Sequence, residues 1–249
     1  ITKKTFNKWL VIQNFSKKIF GKFDLNLASS LDSKKHLQKL GAYNVKLIGN
    51  LKYSQSENDK IEIDQKLKKF ISAKKTWCAS STHESEEIIC GLVHKELKKE
   101  YKNLLTIIIP RHINRINLIK QELRKMNLNI HTHEPKKKIE NKTDIYLVNS
   151  YGQTKSFYFH CKNIFLGGSI INHGGQNPLE ATRYGCNVLH GPNISNFREI
   201  YNHLKKIKIS TKVNNKSMMI KKLKSILNKK NNSKKIQKNL KLIGQKILN

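Results

Sequence analysis

The sequence predicts an α/β fold, an open and mostly parallel sheet with helices on both faces. From Trp77 onward, short apolar runs alternate with segments whose apolar residues recur at helical spacing, as parallel strands joined by helical crossovers require. The run LLTIII at 104–109 is apolar throughout, as a strand buried on both faces should be. A third observation is positional. Ser80 to His83, Pro110 to His112, Ser150 to Gln153 and Gly167 to Ser169 all fall where a predicted strand ends, and open α/β sheets bind ligands beyond the carboxyl ends of their strands.

Taken in order, residues 1–53 read as the end of a separate α/β domain. An amphipathic helix (Phe6, Leu10, Ile12, Phe15, Ile19) is followed by a strand in FDLNLASS, a helix in DSKKHLQKLG closed by Gly41, and a strand in NVKLIGN. The polar SQSENDK opens a linker assigned to 54–75. Residues 76–210 form the ligand-binding domain. Its strands are TWCAS, LLTIII, LNIHTH, DIYLVN, IFL, NVL and IKIS. Its helices follow STHESEE, PRHIN, YGQ, NPLE and Phe197. Residues 211–249 read as two terminal helices with apolar stripes (Met219, Leu223, Leu227; Ile236, Leu240, Ile243) and Lys-rich outer faces.

The chain is organised around Ile164 to Pro192. A strand leads into Gly167-Gly168, then Gly174-Gly175, then a short helix for which Asn177 is a suitable N-cap, Pro178 the first position and Glu180 the third. Paired glycines let backbone N–H groups turn inward, and with a helix N-terminus they predict an anion site for a phosphate-bearing ligand.

The formal net charge is +32, from 49 Lys+Arg against 17 Asp+Glu, which raises nucleic acid or an anionic membrane surface as partner. Only five of those cations are Arg, and the chain is rich in Lys, Asn and Ile together, a compositional drift that dilutes the charge as a functional signal. The last 45 residues hold 15 Lys, no Asp or Glu and no aromatic residue interleaved for base stacking; an ordinary solvated face is the first reading and an anionic membrane surface the second, ahead of nucleic acid. Four scattered cysteines without a C-x-x-C give neither a disulfide framework nor a zinc ribbon. No apolar run approaches the ~18 residues of a spanning helix. The first residue is Ile1 inside an amphipathic segment, which suggests that a longer protein's N-terminal part precedes it.

Among residues able to do chemistry, Arg111 follows a buried strand, where a guanidinium can make two parallel bonds to a phosphate or carboxylate. Glu84 with Ser81 fits a capping box. His131, His133 and Glu134 have metal-like spacing but no further ligand set, so no metal is expected. Glu180 suits either the helix dipole or ribose hydroxyls. Neither a catalytic triad nor a paired-carboxylate pattern is present.

The segments STHESEE, IIIPRHINR, IFLGGSIINHGGQNPLEA and HGPNISNF, in that order and at these separations, resemble the C-terminal half of 3-deoxy-D-manno-octulosonic acid (Kdo) transferases of lipopolysaccharide synthesis. The resemblance runs from about Phe23 to Leu204, and GNLKYS at 49–54 is similar to the segment joining the family's two domains. It implies a two-domain, metal-independent, inverting glycosyltransferase of the GT-B type. Residues 76–210 would bind CMP-Kdo, and an N-terminal domain would bind a lipid A precursor at the cytoplasmic face of the inner membrane. By that likeness Pro110 and Arg111, then Tyr151, Gly152 and Gln153, then Asn177, Pro178, Leu179 and Glu180 would hold the CMP part of the donor. The resemblance implies no cofactor, and it places the catalytic Glu in the N-terminal part outside this chain, which would therefore bind donor without transferring alone. The family's D-T-x-G-E is replaced here by Asn149 to Gln153, which keeps hydrogen bonding and loses two charges. Ser85 stands where the family usually has Gly.

Overall fold

Seven parallel strands carry the larger of two units, and their side chains alternate between two helical layers. The computed structural model describes residues 1, 3–48, 63–134, 137–229 and 232–248, with 241–248 as helical backbone only. The chain divides into residues 1–56 with 238–249, and residues 57–237. GNLKYS and residues 54–62 of the expected linker lie outside the described residues.

In the smaller unit, α1 (Lys3–Val11) and α2 (Gln13–Phe20) precede β1 (Asn26–Ala28), α3 (Leu31–Lys39) and β2 (Val45–Leu47). The single helix expected here is broken at Ile12, whose φ of −116° leaves the helical region. The break lets Trp9 meet Phe20 edge to face at 5.3 Å, while Phe6 stacks on His36 at 4.2 Å. Ser30 caps α3 by accepting from the Ser33 N–H. Strands β1 and β2 pair in parallel, Asn26 opposite Val45, over a small core of Ala28, Leu37, Ala42 and Val45.

The larger unit runs α4 (Gln65–Ser72), β3 (Lys75–Thr82), α5 (Glu86–Lys98), β4 (Leu104–Pro110), a 3₁₀ turn (Ile113–Arg115), α6 (Ile116–Lys125), β5 (Ile130–Thr132), β6 (Ile145–Leu147), α7 (Thr154–His160), β7 (Asn163–Leu166), α8 (Leu179–Arg183), β8 (Asn187–His190), α9 (Arg198–Lys206), β9 (Ser210–Lys212) and α10 (Lys216–Leu227). A last helix, α11 (Ser233–Leu248), is divided between the units. Within the expected linker, Asp64 caps α4 through the Lys66 and Leu67 N–H groups, and Leu67 and Ile71 are buried in the core. The last strand begins three residues later than IKIS predicts. Ile209 still donates to the Leu204 carbonyl, and Lys208 sits at φ +59°, so the chain is turning there.

The strand order is β5–β6–β4–β3–β7–β8–β9, all parallel. Cys78, Ile107, Ile109, Tyr146, Ile164, Leu166 and Val188 face a layer containing Leu67 and Ile71 of α4, Phe157 and Tyr158 of α7, and Tyr201 of α9. Their immediate neighbours Trp77, Ala79, Ile108, Ile145, Leu147, Phe165 and Leu189 face Val93 and Leu97 of α5, Leu123 of α6, and Met219 and Leu223 of α10. Both faces are covered, which explains the continuous apolar runs. The order reverses at β3: the chain first builds outward through β4, then returns to add β7 on the other side of β3. This switch point opens a crevice at the carboxyl ends of β3 and β7.

Candidate functional site

Strand β3 ends irregularly. Its register with β4 shifts between Ser80 and Thr82, and Ser81 takes φ +54°, so the chain turns His83 toward the crevice. Helix α5 begins after Ser85, itself at φ +68°. Glu86 accepts from the His83 N–H at 3.0 Å, so the reach-back bond of a capping box comes from Glu86, and the pairing of Ser81 with Glu84 is corrected to His83 with Glu86.

The same Glu86 carboxylate overturns the expected role of the first Gly pair. It is fully buried and accepts from the N–H groups of Gly168 (2.6 Å), Ser169 (3.1 Å) and Ile170 (3.0 Å). The loop after β7 is an anion nest, as predicted, but its anion is internal. Gly167 is required by crowding, since a Cβ there would lie 2.4 Å from the Ser81 carbonyl oxygen and 2.8 Å from Glu86 Oε2. The Gly175 N–H is also spent within the fold, on the Gly168 carbonyl at 2.7 Å.

With those amides occupied, side chains are left to meet a ligand. His83 is buried and lies beside His173 (ring centroids 4.1 Å) and His112 (5.5 Å), and its Nε2 is 3.3 Å from the Gln176 amide nitrogen. Burial and the neighbouring His173, His112, Arg111 and Arg115 push the His83 imidazole down to about 4. Arg111 follows β4 with an exposed side chain, held by its own N–H to the Thr82 carbonyl at 2.9 Å. Arg115, from the 3₁₀ turn, gives Nη1 to the buried Glu87 at 3.2 Å, while its buried Nη2 has no hydrogen-bond partner among the described residues. Burial raises the Glu87 carboxyl above its ordinary value, and the Arg115 charge works against that rise.

The other predicted residues take the following places. Pro110 is the buried last residue of β4. Tyr151 and Gly152 form an exposed turn beyond β6, Gly152 at φ +80°, and the Gln153 carbonyl accepts the Phe157 N–H that starts α7. The buried Ser150 Oγ beside them has no partner among the described residues. Asn177 Oδ1 accepts from the Leu179 N–H at 3.1 Å, so Asn177 caps α8 as predicted, although the helix starts at Leu179 rather than Pro178. Leu179 is buried and Glu180 half-buried in the first turn. His131 stacks on Tyr146, and His133 Nδ1 lies 2.7 Å from the Tyr146 hydroxyl.

Sequence reasoning missed Glu86, Arg115 and His173. Arg115 carried a readable signal as one of only five Arg, four residues after Arg111. Glu86 and His173 carried none, because their partners are remote in sequence.

Residues 60–242 match the family model described as glycosyl transferases group 1. The chain belongs to that family. Residues 1–55 match a second model, described as 3-deoxy-D-manno-octulosonic-acid transferase (kdotransferase), so the Kdo-transferase resemblance is borne out. A Kdo transferase of Haemophilus influenzae is 31% identical over 170 residues, which is 68% of this chain and 40% of the relative. One from Aquifex aeolicus is 30% identical over 223 residues, 90% of this chain and 59% of the relative. This group 1 chain thus spans about half the length of the curated relatives it matches. The C-terminal CMP-Kdo binding domain of WaaA from Acinetobacter baumannii shares the fold, with a TM-score of 0.62 at 22% identity over 72% of this chain and 91% of that one. The GT-B type of α/β fold expected from the sequence is the fold found.

Proposed function

We propose that this group 1 glycosyl transferase chain is the donor-binding half of a Kdo transferase, which passes Kdo from CMP-Kdo to a lipid A precursor in lipopolysaccharide synthesis. The observation that carries this reading is the clustering, at the switch point, of Arg111, Arg115 and three imidazoles around a Gly loop whose amides are already filled. A ligand bound there is anionic and is held by side chains. Pro110 and Arg111, Tyr151 to Gln153, and Asn177 to Glu180 bound the CMP part, with Glu180 suited to ribose hydroxyls. The guanidiniums counter the charge that develops on the departing CMP phosphate. The base that deprotonates the acceptor hydroxyl belongs to the part of the relatives that these 249 residues do not span, so this chain binds donor and needs that part for transfer.

Calorimetric titration with CMP tests the reading, with UDP as control because HepE of Anabaena, solved with UDP and glucose, shares the fold at a TM-score of 0.53. CMP should bind selectively, and Arg111→Ala should weaken it about tenfold, ~1.4 kcal/mol. Preference for UDP would point to another nucleotide-sugar enzyme. Binding of a short oligonucleotide that collapses with salt would make the charge a nucleic-acid feature.

We further infer that the Lys-rich C-terminal residues lean on an anionic leaflet, which places the working enzyme at the cytoplasmic face of the inner membrane. Among the described residues no helix is long and apolar enough to cross a membrane.

A further inference from the structure

Resting on the donor reading, the geometry points to a separate subsite for the sugar's carboxylate. We propose that His83, His112 and His173, together with Arg115, receive the carboxylate of the donor's acidic sugar and so select a sugar acid over a neutral sugar.

The argument begins with charge. A CMP-linked ulosonic acid carries two anions at neutral pH, a phosphodiester and a carboxylate. The amides of Gly168, Ser169 and Ile170 do not meet the second one, because Glu86 holds them. Two guanidiniums, Arg111 and Arg115, lie near enough to His83 to act on its charge. Arg111, exposed at the end of β4, is placed for the phosphate among the residues assigned to CMP. Arg115 is half-buried, has Nη1 fixed by Glu87, and keeps a buried Nη2 without a partner among the described residues. An unpaired guanidinium nitrogen in such a place is costly unless an acceptor arrives.

The three imidazoles come from different strand ends, His83 after β3, His112 after β4 and His173 after β7. Their rings nevertheless converge to 4.1 and 5.5 Å around His83. Of the two acids nearest in sequence on α5, Glu86 is committed to backbone amides, and Glu87 accepts from Arg115 through Oε1 while its buried Oε2 has no hydrogen-bond partner among the described residues. In the strand order β3, which precedes His83, lies between β4, which ends at Pro110, and β7, which leads toward Asn177.

The test adds free Kdo, and separately its methyl ester, to the CMP-saturated chain, following the histidine ring resonances by NMR and affinity by titration. Expected is a response of the His83, His112 and His173 signals to the acid and at least fivefold weaker binding of the ester. His112 and His173 are both exposed, so a His112→Ala, His173→Ala double variant should fold normally and lose most of the preference for the acid. Equal binding of acid and ester, no binding of Kdo to the CMP-loaded chain, or a preference unchanged in the double variant would overturn the subsite while leaving CMP binding intact. Failure of CMP itself to bind would instead remove the donor reading, and this assignment with it.

Discussion

Glu86 shows how one side chain can set a loop. Its carboxylate accepts four backbone N–H groups, from His83 and from Gly168 to Ile170, and so fixes the ends of β3 and β7 against each other. Glu86→Gln replaces one acceptor oxygen by an amide that faces donors. It should lower the unfolding free energy by about 2–4 kcal/mol, read from the urea midpoint. Histidines give a second residue-level expectation. Burial and cationic neighbours hold His83 down to about 4, and burial does the same for His190, also to about 4. Both would titrate near 6.5 in the unfolded chain, which therefore binds more protons between the two values, so stability rises with pH there. Their contribution is full above 6.5 and is lost as pH falls from 6.5 toward 4. A thermal melt series from pH 7.5 to 4.5 should show the midpoint falling across that window, and a flat midpoint would contradict the assignment of these two rings as neutral. Asp144 does not share this window. Burial works to raise its carboxyl, but hydrogen bonds from His94, Lys98 and Asn129 outweigh that and hold it well below the usual carboxylate range, so its contribution persists until stronger acid.

At the scale of elements, continuous apolar strands and alternating faces are two views of one fact. Phe165 points into the layer of α5, α6 and α10, while Ile164 and Leu166 on either side of it point into the other. Phe165→Ala should cost about 3–5 kcal/mol in equilibrium unfolding, as expected for an aromatic side chain removed from a closed core. The loop that follows is constrained differently. Gly174 has φ +95°, and a Cβ there would come within 2.4 Å of the Asn196 amide nitrogen. Gly174→Ala should therefore shift both stability and CMP affinity, whereas Gly152→Ala, with φ +80° but nothing within 4 Å of its Cβ, should carry backbone strain alone. Comparison of the two variants by melt and titration separates crowding from strain. These constraints were partly legible. Strand alternation and the Asn177 cap were readable from spacing, because their partners are local. The break at Ile12 and the helix inside the supposed linker were not, because they depend on what Trp9, Leu67 and Ile71 touch.

On the scale of the whole molecule, two units differ in how they treat apolar surface. Among the described residues the larger unit buries most of its strand side chains, with Leu92, Leu118, Tyr151, Phe159 and Met218 exposed. The smaller leaves Phe15, Phe23, Leu25, Leu27, Leu31 and Leu47 between 44% and 62% exposed. A two-stranded parallel sheet is below the size that stands by itself. Replacing Leu27 and Leu47 with Lys should change stability by no more than ~0.5 kcal/mol while reducing self-association in sedimentation. The basic surface makes its own prediction. The chain should co-sediment with vesicles containing anionic lipid and not with neutral ones, and high salt should release it.

Taken alone, the sequence determined the fold class, because apolar periodicity is a local property that survives without coordinates. It also placed the candidate polar segments at strand ends, a position that follows from parallel topology. Its motifs also carried the family resemblance. The tertiary structure alone decided which groups are available there. A Gly-rich loop reads the same in sequence whether its amides await a phosphate or already hold Glu86. Eighty-two residues separate Glu86 from Gly168, and only folding brings that carboxylate to those amides. The same closure of distant segments set His173 against His83 and buried one nitrogen of Arg115 without a hydrogen-bond partner among the described residues.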